Sequence, residues 1–230
     1  MIKCLDHGFV RLIDSMGNDL SIVRAARVSY DAAWRAGENE KSDEKLINYL
    51  WKNKHTTPFE AVTFTFEIKA PIFVFRQWHR HRTWSFNELS ARYKELPIEY
   101  YVPEANKIGV QSKDNKQMRI IPEGGNFSKA DLARNLIRIA AEESFVKYKI
   151  LLNNGVPREL ARMVLPLSTY SHMFATVNLL NLFKFITLRS HEHAQYEIRV
   201  YAEAIYENFF KPALPWTAEA FEKFVLVKTD

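Results

Sequence analysis

The sequence predicts an α+β fold: a single domain over 1–230 with one mostly antiparallel central sheet flanked by helices. Three observations carry this. The chain has 230 residues, 47% of them hydrophobic, enough to bury one sizeable core. Segments with helical spacing outnumber those that alternate. The alternating segments also lie far apart in sequence, which suits an α+β arrangement.

Taken in order, residues 2–13 read as a strand ending at the turn MGND. Asn18 or Asp19 there can cap a helix over SIVRAARVSY. The polar run AGENEKSDEK follows, with Ser42 as the expected cap of a helix through LINYLWKNK. AVTFTFEIK alternates, with Val62, Phe64, Phe66 and Ile68 on one face and Thr63, Thr65 and Glu67 on the other. It reads as a half-buried strand broken by Ala70–Pro71. IFVFRQWHRHR places apolar residues early and basic ones late, the charge order of a helix with cations at its C-terminal end.

Residues 94–126 hold three prolines and mixed polarity and read as strand and long loop, including Gly124–Gly125. A long helix is expected from Ser128 to the stop at Asn154–Gly155. PRELARMVL is expected as a helix from Pro157 to Pro166. TYSHMFATVNL reads as a strand, LLNLFKFITLR as a short helix, EHAQYEIRVYAEAIYENFF as a long amphipathic helix and WTAEAFEKF as the last one.

Composition narrows the chemistry. A net charge of +5 is compatible with nucleotides, phosphorylated cofactors or nucleic acid and selects none of them. The single cysteine, Cys4, cannot form an intramolecular disulfide, and the N-terminus lacks a signal-peptide pattern, so a cytoplasmic location is expected. No apolar run reaches the ~18–20 residues of a membrane span. His79/His81 and His191/His193 are two apart, and one cysteine is too few for a structural zinc site, so no metal is expected. Cys4 reads as buried packing and not as a nucleophile. No glycine-rich phosphate loop opens a helix after a strand.

What remains is a density of arginines. Arg158 and Arg162 fall on one helical face; Arg189 and His193 do so too if their helix continues. Arg80 and Arg82 flank His81 where a helix is expected to end. Each arginine singly is as well explained by a solvated surface role. Together with Trp84, Phe86 and Tyr93 they suit a flat heterocyclic phosphate, since guanidinium forks donate paired hydrogen bonds to phosphate and pyrimidine carbonyls. A nucleic-acid-binding module is the rival from another class. It is disfavoured because Asp and Glu number 27 against 32 Lys and Arg, and the basic residues cluster in motifs.

Arg80-His81-Arg82, seven residues and Ser90, within RHRTWSFNELSARY, resemble the signature of the flavin-dependent thymidylate synthases. MGNDLSIVRAARVSY, HTTPFE at 55–60, FTFEIKAPIFVFRQW, GVPRELARMVLP at 155–166 and Leu188-Arg189 followed by HAQYEI at 193–198 look like family segments in the same order. The resemblance implies a homotetramer with shared active sites that hold FAD, dUMP and methylenetetrahydrofolate, with NADPH reducing the flavin. It implies no nucleic-acid or membrane partner.

By the same resemblance, Gln77, Arg80, Glu88, Ser90 and Arg92 bind dUMP, the backbone amides of Leu89 to Ala91 take its phosphate, and Arg162 reaches it from a neighbouring subunit. Arg189 is implied as the catalytic residue that polarises the uracil ring. Ser29, His55, Thr57, Arg80, His81, Arg82, Glu88, Asn178, Lys184 and His193 are implied as flavin neighbours. Leu180 departs from the family pattern, where an arginine often stands two residues after the asparagine, and Lys184 is the nearby cation that remains. An inactive flavoprotein of the same fold is the other alternative, disfavoured by the intact signature. Ser90 has no adjacent base in sequence and reads as a binding residue, not a nucleophile.

Overall fold

The computed structural model describes residues 1–122 and 128–225; Gly124–Gly125 lie outside them. Its centre is a five-stranded sheet in the order β1 (Ile2–Cys4), β2 (Gly8–Met16), β3 (Thr63–Pro71), β7 (Tyr170–Asn178) and β4 (Ser85–Glu88), antiparallel at every pairing. The register follows the burial pattern. Val10 pairs with Ile68 and Ile68 with Met173, so one face carries Val10, Phe64, Phe66, Ile68, Met173, Ala175 and Val177 into the core. On the other face Thr65 and Thr176 share a hydroxyl hydrogen bond of 2.9 Å. There Glu67 is buried, held by His172 Nε2 at 2.7 Å and by Arg11. A short pair of strands, β5 (Val110–Gln111) and β6 (Arg119–Ile120), forms a separate hairpin.

The helices are α1 (Asp19–Arg27), α2 (Glu40–Lys52), α3 (Ile72–Trp78), α4 (Ala130–Asn153), α5 (Arg158–Ala161), α6 (Leu179–Arg189), α7 (Tyr196–Ile205), α8 (Lys211–Ala213) and α9 (Pro215–Phe224). Trp78, Phe183, Phe185, Tyr201, Phe210 and Phe221 project from them into the core beside the sheet. Asp19 ties α1 to α9 by accepting the Trp216 and Thr217 amides at 3.1 and 3.2 Å. None of the described helices is long and apolar enough to cross a membrane.

Asn18 caps α1 as expected, in a reciprocal box with Ser21. Several boundaries differ from expectation. Residues 2–13 are not one strand. Leu5 adopts a left-handed φ of 58° and starts a tight turn, which splits the segment into β1 and β2. Gly8 closes that turn because a Cβ there would meet the Tyr201 hydroxyl and the Cys4 and Lys69 carbonyl oxygens.

Asn39, not Ser42, caps α2, its side chain accepting the Ser42 amide at 3.1 Å. β3 runs through Pro71, tolerated as the last paired residue, where its missing amide removes no interior ladder bond. α4 begins at Ala130, after Lys129, and not at Ser128. PRELARMVL is one short α-turn, α5, tightened into a 3₁₀ turn over Arg162–Val164. The helix expected from Glu192 starts instead at Tyr196 and passes through a π-turn, Tyr206–Phe210, into α8.

Candidate functional site

Pro71 turns β3 into α3, and the seven residues of α3 bring the Arg80-His81-Arg82 stretch to the edge of the core. The stretch is fixed from both ends by indole rings. Trp78 is fully buried and stacks on Phe185 at 4.6 Å; Trp84 is 5% exposed and lies 5.1 Å from the same ring. His81 faces inward with its ring edge-on to Phe185 at 5.0 Å, and its amide donates to the Trp78 carbonyl at 2.9 Å. Arg80 and Arg82 are turned outward. Neither forms an ion pair among the described residues.

Arg189 ends α6, where a cation opposes the helix dipole. Its Nε donates to His81 Nε2 at 3.0 Å and its Nη2 to the Gln77 carbonyl at 3.2 Å. The guanidinium is thus held by two groups that carry no negative charge, and burial lowers its pKa. Burial, and then the Arg189 charge, bring His81 down to about 4. The imidazole is neutral at neutral pH, with Nε2 as acceptor and its proton on Nδ1. Arg189 lines a cavity of about 680 Å³ that Leu180, Lys184, His191 and His193 also line, and its other N–H groups have no partner among the described residues. The helix does not continue to His193 as a shared face would require, because Ser190 caps it and residues 190–195 turn back. The fold nevertheless sets Arg189, Lys184 and His193 around one space.

Asn178 is the N-cap of α6: its side chain accepts the Asn181 amide at 3.0 Å. Lys184 donates to Asn181 Oδ1 at 3.2 Å. Ser29, His55 and Thr57 meet elsewhere, lining a cavity of about 520 Å³ with Tyr30 and Tyr49.

The second half of the signature lies on β4 and the turn after it. Glu88 accepts the Ser171 hydroxyl at 2.6 Å and lies 3.9 Å from His79 Nε2. The Leu89 amide is committed to the His172 carbonyl at 2.7 Å, which takes it out of the expected set of phosphate donors. Among the described residues, the Ser90 and Ala91 amides donate to nothing within the chain and remain for an anion. Ser90 Oγ accepts the Arg92 amide at 3.3 Å, a turn-forming role. Arg92 Nε lies 3.7 Å from Glu159, and Arg162 Nε donates to the Glu159 carbonyl at 3.4 Å, so Ser90, Arg92 and Arg162 converge. Among the described residues, no hydrogen bond or ion pair joins this group to the one around Arg189. Cys4 is buried and its thiol is pushed up to about 12 by desolvation, which removes it as a nucleophile.

Sequence reasoning gives no role to Gln195, Glu197, Tyr101 or Arg119, which the fold gathers behind Gln77. The HAQYEI segment is visible in sequence, but its partners Arg119, Tyr101 and Gln77 lie 78 to 118 positions away and carry no local signal.

A family described as "Thymidylate synthase complementing protein" matches residues 11–216. The flavin-dependent thymidylate synthase of Thermotoga neapolitana is 47% identical over 97% of this chain and 94% of its own length. That of Thermus thermophilus is 49% identical over 98% of this chain and 79% of its own. The crystal structure of a UMP/dUMP methylase PolB from Streptomyces cacaoi bound with 5-Br dUMP superposes with a TM-score of 0.87. It is 38% identical and covers 97% of this chain and 98% of that one.

Proposed function

The chain belongs to the flavin-dependent thymidylate synthase family, and from that membership we propose that it converts dUMP to dTMP by reductive methylation. Methylenetetrahydrofolate is the carbon donor and NADPH the reductant. The observation that carries the reading is Arg189. Its guanidinium is half-buried and anchored by a neutral imidazole and a backbone carbonyl, and the residue lines a cavity. A fixed cation whose neighbours do not neutralise it is suited to hold negative charge that develops on a uracil carbonyl. Gln77 and Arg80 stand beside it for the nucleotide, and the free Ser90 and Ala91 amides with Arg92 and Arg162 suit its phosphate.

The residues present fit FAD. Arg80 and Arg82 have no carboxylate partner among the described residues and suit its phosphates. Neutral His81 offers an uncharged polar group for its ring, and His55, Thr57 and Ser29 line a cavity whose polar side chains suit its ring and sugar. Lys184 and His193, lining the Arg189 cavity, supply further donors, while Asn178 contributes by capping the helix that carries Lys184 and Arg189. When bound and reduced, the flavin supplies hydride, which accounts for a site without a reactive cysteine. Glu88, held by Ser171, is placed to accept from ligand hydroxyls.

A homotetramer accords with two features. Among the described residues no hydrogen bond or ion pair joins the Arg189 and Ser90–Arg162 groups, which is compatible with halves of composite sites. Leu132, Leu136, Ile139, Val146 and Ile150 leave an apolar stripe exposed along α4 at 42–59%.

The test is direct. Purified protein is scanned for flavin absorbance, treated with NADPH, and assayed for tritium release from 5-tritiated dUMP with methylenetetrahydrofolate; tritiated UMP runs in parallel because the structural neighbour is described as a UMP/dUMP methylase. Flavin bleaching and tritium release are expected. A colourless protein that stays inert with added FAD would defeat the reading.

A further inference from the structure

Behind Gln77 lies a hydrogen-bond row that substrate contact alone does not explain. Glu197, on the first turn of α7, is 1% exposed. Its carboxylate accepts the Tyr101 hydroxyl at 3.1 Å, Arg119 Nη2 at 2.9 Å and Gln195 Nε2 at 2.8 Å. Arg119 reaches it from β6 and Tyr101 from the loop after β4, so three distant segments converge on one buried charge. A carboxylate there is tolerated because each donor compensates its desolvation.

The consequence runs outward. Ionised carboxylate oxygens only accept, so Gln195 must turn its NH₂ toward Glu197. That leaves Gln195 Oε1 facing the Nε2 of Gln77, which donates to it. Gln77 is then fixed with one N–H of its NH₂ donated to Gln195, and its Oε1 accepts from nothing among the described residues. The same residue's backbone carbonyl anchors Arg189. An amide on a flexible side chain otherwise presents either end at little cost.

We propose that Glu197 is a positioning residue that sets the polarity of the Gln77 amide, holding its NH₂ toward Gln195 so that its Oε1 is the end kept free as an acceptor for the nucleotide. The complement is a hydrogen-bond donor of dUMP, either a sugar hydroxyl or the uracil N3–H. This rests on the reading of the site as a dUMP site. It makes the Arg119 hairpin and the HAQYEI segment part of substrate recognition without any contact to substrate.

The test compares flavin-loaded wild type with Glu197→Gln and Gln195→Met, measuring binding and turnover of dUMP, an analogue lacking the 3′-hydroxyl, and an N3-methylated analogue. An amide at 197 can donate as well as accept, so it no longer dictates how Gln195 turns; methionine at 195 breaks the row while leaving Glu197 with Tyr101 and Arg119. Each variant should raise KM for dUMP about tenfold, the worth of one hydrogen bond, with kcat within about twofold and flavin absorbance unchanged. Wild type should discriminate against one of the two analogues, and both variants should lose that discrimination. The double variant should match Gln195→Met alone, because both changes act through one row. A merely structural role would lower the unfolding midpoint without moving KM or analogue preference. If Glu197→Gln does not fold, Gln195→Met carries the same comparison. Variants that bind dUMP and both analogues as wild type does overturn the proposal. Wild type that fails to bind dUMP at all overturns the function reading, and the proposal with it.

Discussion

Replacing Arg189 by lysine isolates what the guanidinium contributes beyond its charge. In the native arrangement Nε is spent on His81 at 3.0 Å and one Nη2 proton on the Gln77 carbonyl at 3.2 Å, which leaves three N–H groups for a ligand in the adjoining cavity. A lysine has one nitrogen. It can keep an anchor to His81 or Gln77, or extend toward the ligand, but it cannot reproduce a fork that does both. Charge-assisted hydrogen bonds contribute about 1.5–3 kcal/mol each. Removing one preorganised donor from a site where charge develops costs roughly 10²–10³ in kcat. Arg189→Lys should therefore reduce tritium release from dUMP by about two to three orders of magnitude at saturating substrate, while the flavin spectrum persists. The decisive comparison is kcat against KM. A raised KM with unchanged kcat would mean that Arg189 binds ground state and transition state alike, and would refute its assignment as the group that stabilises developing charge.

His81 makes a pH-dependent contribution to stability. Its pKa in the fold is about 4 against an ordinary 6.5, so between these values the unfolded chain binds a proton that the folded chain refuses. The contribution is complete above 6.5 and is lost as pH falls toward 4. Allowing for screening at a half-buried ring, it amounts to about 1 kcal/mol between about pH 7.5 and pH 5. Urea midpoints of wild type should fall more across that range than those of His81→Gln; equal slopes would contradict it. Ser90→Ala should retain dTMP formation, with KM for dUMP raised a few-fold (about 1 kcal/mol or less) through a looser turn; abolished turnover with dUMP still bound would make Ser90 a nucleophile after all. Gly8→Ala should destabilise the fold by several kcal/mol, of order 2–4, because two of the three atoms in its way are backbone carbonyl oxygens that cannot step aside. A melting temperature within about 2 °C of wild type would show that the β1–β2 turn absorbs the methyl group.

Most elements were legible because their cues are local. AVTFTFEIK alternates, Asn18 precedes a helix, and glycine follows the last turn of α4; each is a property of a few neighbouring residues and survives folding almost unchanged. Boundaries went astray where packing overrode a local cue. β1 and β2 separate at Leu5, a residue type that does not favour the left-handed φ found there and leaves Gly8 as the sole local cue, because both strands gain partners by folding back. Asn39 outcompetes Ser42 as a cap because starting three residues earlier lets the α2 residue Asp43 be buried, where it accepts the Gly37 amide at 2.7 Å and pairs with Arg27 at 2.5 Å.

The same division runs through the site. The signature and the arginine density single out the residues proposed to hold anions, since residue type and short spacing already suit that chemistry. How they are held was not in the sequence. His81 is neutral because burial and Arg189, 108 positions away, disfavour its charge. Leu89 loses its place among the phosphate donors because β7 claims its amide. The polarity of Gln77 is set from Glu197 through Gln195, along contacts spanning up to 118 positions. Linear order records which groups a chain owns. Protonation states, free donors and amide orientation depend on the groups that face them in space, and those are assembled only when distant segments pack.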